Sequence, residues 1–175
     1  MNSQSMIPAN KKQNILDAML NLIVANGFHG TPMSLVAKEA GVAAGTIYHY
    51  FDSKEAINEL YAILKQRMGQ ALLTSNPVNL HFKTRFFMFW RNLYHYIVQN
   101  PNEFIFLELY ANSPYISQLA KTENAQFYQP VIDFLAQGAL AGVLREMDIR
   151  LMVALICGSV MVAAKLQLSG GMALT

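Results

Sequence analysis

Residues Thr31 to Lys54, TPMSLVAKEAGVAAGTIYHYFDSK, carry the pattern from which the rest of the fold is read. Thr31-Pro32 reads as an N-cap followed by proline at the first helical position, where the missing N–H has no partner to lose. The short helix it opens turns Leu35, Val36 and Ala40 inward and breaks at Gly41. A second short helix is expected from about Ala44 to Phe51, with Ile47 and Phe51, four residues apart, anchored in the core. Two short helices across a tight glycine turn make a helix-turn-helix, whose second helix can enter a DNA major groove. The polar groups of that helix are Thr46, Tyr48, His49 and Tyr50. Ala44 and Gly45 at its start are small enough to let backbone approach a phosphate or a base edge. Lys54 falls in the first turn of the next helix, where free amides and an ammonium can hold a phosphate together. Thr31 and Ser34, at the start of the first helix, complete the candidate DNA-contact set.

Upstream, Asn10 and Gln13 have the spacing of a capping box, and Ile15, Met19, Leu22 and Ile23 recur on one helical face that ends at Gly27. Downstream, Asp52 or Ser53 is placed to cap a long helix that buries Ile57, Leu60, Tyr61 and Leu64, and Ser75-Asn76-Pro77 closes it. Leu80 to Gln99 carries two apolar stripes, one of Phe82, Phe86, Phe89, Leu93 and Tyr96, the other of Phe87, Trp90, Tyr94 and Val98. Asn100-Pro101-Asn102-Glu103 caps a further helix to about Asn112, and two longer helices, roughly 122–141 and 148–168, close the chain. No stretch alternates with a period of two, so the fold class is all-α.

Composition narrows the function classes. The chain has 175 residues, 53% of them apolar and only 14% charged. That balance excludes disorder, and it implies more apolar surface than one small monomer hides. Net charge is +2, with no basic stripe, so a nucleic-acid role has to rest on geometry. The richest apolar stretch, Leu151 to Ala164, lies between Arg150 and Lys165 and is shorter than a bilayer requires, so no membrane partner is expected. The first 30 residues lack the order of a signal peptide. A soluble, cytoplasmic protein is the expectation. A single cysteine, Cys157, leaves no internal disulfide, and no metal or cofactor is expected. Nucleophile-elbow, zinc-protease, P-loop and dinucleotide motifs are all missing from the sequence, so an enzyme is not expected.

From about Asn10 to Leu60 the chain resembles the TetR/AcrR family of bacterial transcriptional regulators. The matching pieces are Ala37-Lys38-Glu39-Ala40-Gly41-Val42, then Gly45-Thr46-Ile47-Tyr48-His49-Tyr50-Phe51, then Ser53-Lys54-Glu55. The resemblance implies a homodimeric repressor whose C-terminal domain binds a small effector and releases a near-palindromic operator in double-stranded DNA. It places Thr46, Tyr48, His49, Tyr50 and Lys54 at DNA-contacting positions, with Ala44 and Gly45 at the groove-facing start. Ala43 departs from the pattern, because that position is often a Ser or Thr cap. The implied organisation is a three-helix DNA-binding domain over residues 1–55, with its motif at about 32–51. A helical effector-binding and dimerisation domain follows over 56–175. The alternative is a helical small-molecule-binding protein without DNA binding.

Fourteen of the nineteen aromatic residues lie between Phe82 and Phe134. Most belong to a core, yet Tyr94, Tyr96, Tyr110, Tyr115 and Tyr128 each bring a hydroxyl that needs a partner. With the resemblance, they suggest an effector pocket among Phe86, Trp90, Tyr94, Phe104, Tyr110, Phe127 and Tyr128. The dimer seam is expected on the last two helices. There Leu151, Leu155, Val162 and Leu166 are assigned to the monomer core. Met152, Ile156, Ser159, Val160 and Ala163, with Gly138, are assigned to the seam.

Overall fold

The computed structural model describes residues 8–51, 55–75, 77–114 and 128–171. Among these residues the regular structure is helical, with no strand. The elements are α1 (Pro8–Asn26), α2 (Met33–Glu39), α3 (Ala44–Tyr50), α4 (Glu55–Leu72), α5 (Phe82–Gln99), α6 (Pro101–Ala111), α7 (Gln129–Leu140) and α8 (Ile149–Leu168).

The described part of α1 is already helical from Pro8, and the Gln13 amide donates to the Asp17 carboxylate one turn on. The start of α2 differs from expectation. Pro32, in extended conformation, is the N-cap of α2, and no side chain caps it. The Thr31 hydroxyl donates instead to the Gly27 carbonyl at 2.8 Å, where α1 ends. A proline at a helix start needs no donor, which releases the nearby polar side chain for other bonds.

The chain forms two compact units. The first holds the described residues up to Ile63 together with those from Asn102 to Pro114. Its core draws Ile15, Met19 and Ile23 from α1, Val36 from α2, Ile47 from α3, Leu60 and Tyr61 from α4, and Phe104, Phe106 and Tyr110 from α6. Phe28 lies 6.2 Å from Phe106 and 6.3 Å from Tyr110, ring centre to ring centre. Helix α6 therefore shares the core of the first unit. Helix α6 brings an apolar face that α1 and α4 can cover, and each large side chain so buried contributes about 1.5–3 kcal/mol.

The second unit runs from Leu64 to Pro101 and takes in the described residues from Tyr128 onward. Helix α5 packs along α8, and α7 packs on α8. Phe82 stacks on Phe134 with centroids 4.9 Å apart, and the Arg85 guanidinium sits 4.9 Å from the same ring. Phe89, Leu93, Tyr94, Tyr96 and Ile97 of α5 are buried, whereas Phe87 is 61% exposed. The second apolar stripe of α5 is thus only partly covered.

Helix α8 reverses the expected faces. Met152, Val160 and Ala164 are buried within the chain, while Leu151, Leu155, Val162 and Leu166 are each about half exposed. Gly138 is also committed to its own chain, because a Cβ there would stand 2.2 Å from the Phe82 ring. Of the residues assigned to the seam, Ser159 is exposed and Ile156 and Ala163 are partly covered. An all-apolar helix has no polar side to mark which face turns outward, so periodicity alone could not choose between them. The helix is also 20 residues long, running through Arg150 and Lys165, and by length and composition it could cross a membrane. The Asp148 carboxylate caps it, accepting from the Arg150 N–H at 2.8 Å.

The turn between α2 and α3 depends on Gly41, whose φ of 67° lies in the left-handed region. Gly41→Ala should lower unfolding free energy by about 1–2 kcal/mol. Gly45, inside α3 with nothing within 4 Å of an added Cβ, should respond oppositely, gaining about 0.5–1 kcal/mol as alanine. Urea midpoints of the two variants check the pair.

Candidate nucleic-acid interface

The interface is built on seven residues. Helix α3 has no side-chain cap at Ala43, as the sequence implied, and it ends when Phe51 turns extended while its N–H still reaches the Ile47 carbonyl at 2.9 Å. The Val42 N–H closes α2 by bonding the Ala37 carbonyl at 3.0 Å, which sets the angle at which the chain enters α3. Ile47 is fully buried and Phe51 is 3% exposed, so both anchors point inward.

The opposite face is open. Ala44, Gly45, Tyr48 and His49 are exposed, and Thr46 and Tyr50 are partly covered. Tyr48 is 60% exposed, too much for a packing aromatic of a three-helix core. His49 meets the edge of Tyr50 at 5.6 Å, which holds the two rings beside each other. Ser34 is exposed on α2, and Thr31 is partly covered with its hydroxyl on Gly27. Lys54 lies outside the described residues. The face thus combines small residues, two hydroxyl-bearing aromatics and an imidazole, groups that can meet phosphate oxygens and base edges.

The aromatic residues proposed for a pocket do not form one group. Tyr110 is completely buried in the first unit, donates to the Asn58 amide oxygen, and lies 4.4 Å from the Tyr61 ring. Phe104 is buried in the same unit. These two are core residues there, because α6 packs with α1 and α4. Phe127 lies outside the described residues. Phe86, Trp90, Tyr94 and Tyr128 all belong to the second unit, where Trp90 is stacked on Tyr94 at 5.6 Å and Phe86 lies beside Phe82 and Phe87. The Tyr94 hydroxyl is buried with no hydrogen-bond partner among the described residues. Lys65 of α4 donates to the Tyr128 hydroxyl and lies 4.6 Å from the centre of that ring. Burial lowers the Lys65 ammonium to about 8, and it pushes the Cys157 thiol, an electrostatic neighbour of Lys65, up to about 11. The sequence reading missed Lys65. It follows Tyr61 by four residues and so shares the inward stripe of α4, which is the signal that could have found it.

Residues 15–59 match the family model described as bacterial regulatory proteins, tetR family, and residues 51–175 match the tetracyclin repressor-like C-terminal domain. The chain belongs to the tetR family of bacterial regulatory proteins. A tetR family transcription regulator from Shewanella sp. PV-4 superposes with a TM-score of 0.83 at 30% identity, over 91% of this chain and 86% of that one. A helix-turn-helix transcriptional regulator of Haemophilus influenzae is 29% identical over 138 residues, 78% of this chain and 72% of that protein. The fatty acid metabolism regulator protein of Bacillus subtilis is 48% identical over 60 residues, 34% of this chain but only 30% of that protein. As a tetR family member the protein is a DNA-binding transcriptional regulator, and α3 is the second helix of its helix-turn-helix.

Three buried groups give a pH signature. Lys65, held near 8 when folded and near the ordinary lysine value of 10.5 when unfolded, binds fewer protons in the folded state between those values, so it makes stability rise with pH there. Cys157 of the same unit acts in the opposite sense above the ordinary thiol value of 9, and so does Tyr61 of the first unit, raised to about 12 by burial and by Tyr110, above the ordinary phenol value of 10. Melting temperature should therefore rise from about pH 8 to 9 and fall above about pH 10. Lys65→Met should remove the rise and keep the fall, as read by thermal melts across that range.

Proposed function

We propose that the protein is a homodimeric repressor that holds a near-palindromic operator with paired α3 helices and leaves it when a small apolar or aromatic effector occupies the C-terminal helical domain. The observation that carries the DNA contact is the division of α3. Ile47 and Phe51 are buried on one side, and Ala44, Gly45, Tyr48 and His49 are exposed on the other. Thr31, Ser34, Thr46, Tyr50 and Lys54 complete the contact set. Tyr48 and Lys54 are assigned to phosphates and His49 to a base edge.

An effector site in the second unit is supported by the Tyr94 ring stacked on Trp90, whose buried hydroxyl meets no partner among the described residues, since a buried donor without a partner costs about 1–3 kcal/mol unless a ligand meets it. A regulator of Bacillus subtilis solved in complex with stearoyl-CoA shares the fold, with a TM-score of 0.71 at 21% identity over 90% of this chain. Together with the similarity to a fatty acid metabolism regulator, that favours an effector with a long acyl chain.

The dimer seam is placed on the exposed stripe of α8, where Leu151, Leu155, Val162 and Leu166 share one face with Ser159 between them. Two copies of α7 and α8 would cover both stripes as a four-helix bundle. This reading accounts for the exposed apolar face without a membrane, and Arg150 and Lys165 within α8 favour it.

Mobility shifts with DNA flanking the gene test the operator. Tyr48→Phe and Lys54→Ala should weaken binding to every sequence, and Lys54→Ala should also flatten the salt dependence by about one phosphate contact. His49→Ala should change sequence preference across a site library; a uniform loss would assign the ring to phosphate. A fatty acyl compound added to the wild-type complex should release the DNA.

Leu155→Arg and Val162→Arg place charge in the seam without emptying the monomer core. Analytical ultracentrifugation at low micromolar concentration should find folded monomers, with operator binding weakened because the half-sites are no longer linked. Dimers that persist in both variants would put the seam elsewhere.

A further inference from the structure

Three helices of the first unit meet at one ammonium group that the DNA-contact set leaves out. Lys12, in the early turns of α1, pairs with Glu59 of α4 at 2.6 Å, Nζ to Oε1. The same Nζ lies 5.3 Å from the centre of the Phe51 ring. Phe51 is the residue at which α3 stops, and its N–H closes the last bond of that helix. The side chains of Lys12 and Glu59 are 41% and 37% exposed, so the pair lies at the edge of the core rather than inside it.

We propose that Lys12 is a positioning residue for DNA binding, holding the C-terminal end of α3 in register with α1 and α4 through Phe51 and Glu59. Helix α3 packs on α2 and is set at its start by the Val42 bond to Ala37, so its C-terminal end is the part that still needs a hold. The helix spans only seven residues, Ala43 provides no side-chain cap, and Ile47 is its one buried side chain. A swing of that end about Ile47 would move Tyr48 and His49 across the groove. Phe51 supplies the second fixed point, and a cation over its ring, tied to α4 by a carboxylate, restrains it. Half-exposed ion pairs add little to overall stability, so the effect of this one falls on the geometry of α3.

The inference rests on α3 being the helix that enters the groove, and charge gives a way to separate positioning from contact. Glu59→Gln removes a negative charge from the DNA-binding unit, so simple electrostatics predicts tighter binding. The clamp predicts weaker binding. Lys12→Met should lower specific operator affinity by up to about tenfold, the order expected when an exposed ion pair and a cation–π contact are lost together, and Glu59→Gln, which loses the ion pair alone, by a few-fold. The slope of log affinity against log salt should stay at the wild-type value, because no phosphate contact is removed. Lys12→Arg, which keeps both the charge and the ring contact, should restore affinity. Hydrogen exchange of the α3 amides, read without DNA, should accelerate in Lys12→Met while α1 amides keep their protection. A salt slope reduced by about one in Lys12→Met would make Lys12 a phosphate contact, and tighter binding by Glu59→Gln would overturn the clamp. Unchanged α3 exchange would overturn it as well, even if the wild-type protein bound no operator, an outcome that would instead refute the proposed DNA contact.

Discussion

The burial of Ile47 and Phe51 is the constraint on which the DNA-binding unit depends. A helix of seven residues without a cap is not stable by itself in water, because the cost of its first turn is never recovered along its length. Tertiary packing has to hold it. Two apolar side chains spaced by four residues do so from one side, each contributing about 1.5–3 kcal/mol, and their common direction fixes which residues remain outside. Exposure of Tyr48 and His49 follows from this packing. The core built from α1, α2, α4 and α6 is in effect the mount for a short helix that cannot form alone.

The features legible in the sequence are those set by local chemistry. Gly41 in its left-handed turn, Ala43 without a cap and the inward pair Ile47 and Phe51 could all be read from residue type and spacing. The Asp148 cap and the boundaries of α5 and α6 belong to the same class. Features set by tertiary partners could not be read. Phe104 and Tyr110 are apolar or amphipathic whichever unit covers them, and nothing local says that α6 joins α1 and α4. Helix α8 is the sharper case. Its periodicity defines two faces, but the choice of inner face is made by what α5 and α7 offer it, with Met152 and Val160 buried and Leu155 and Val162 outside. Lys65 was hidden by its own type, because a lysine on an apolar stripe is ordinarily assumed to reach solvent.

The two units spend their tyrosine hydroxyls differently. In the first, Tyr110 donates to Asn58 and lies between Phe106 and Tyr61, a satisfied polar group within a rigid aromatic cluster. In the second, Tyr128 accepts from Lys65 while the Tyr94 hydroxyl is buried with no partner among the described residues. A satisfied hydroxyl makes a core more specific, and a buried one without a partner is a group that a ligand can meet.

The contact of Gly138 with Phe82 has a consequence for how this chain tolerates change. The phenyl ring occupies the space where a side chain on Gly138 would stand, so α5 and α7 share a single volume between two positions. Growth at 138 requires the partly exposed Phe82 ring to swing aside or a smaller residue at 82, and a smaller residue at 82 leaves space that a side chain at 138 can fill. The ring is also stacked on Phe134 and belongs to the surface that α5 turns toward α7, so the exchange carries a third partner with it. Substitutions at this crossing are therefore expected to travel in sets, with the helix spacing as the quantity that stays fixed.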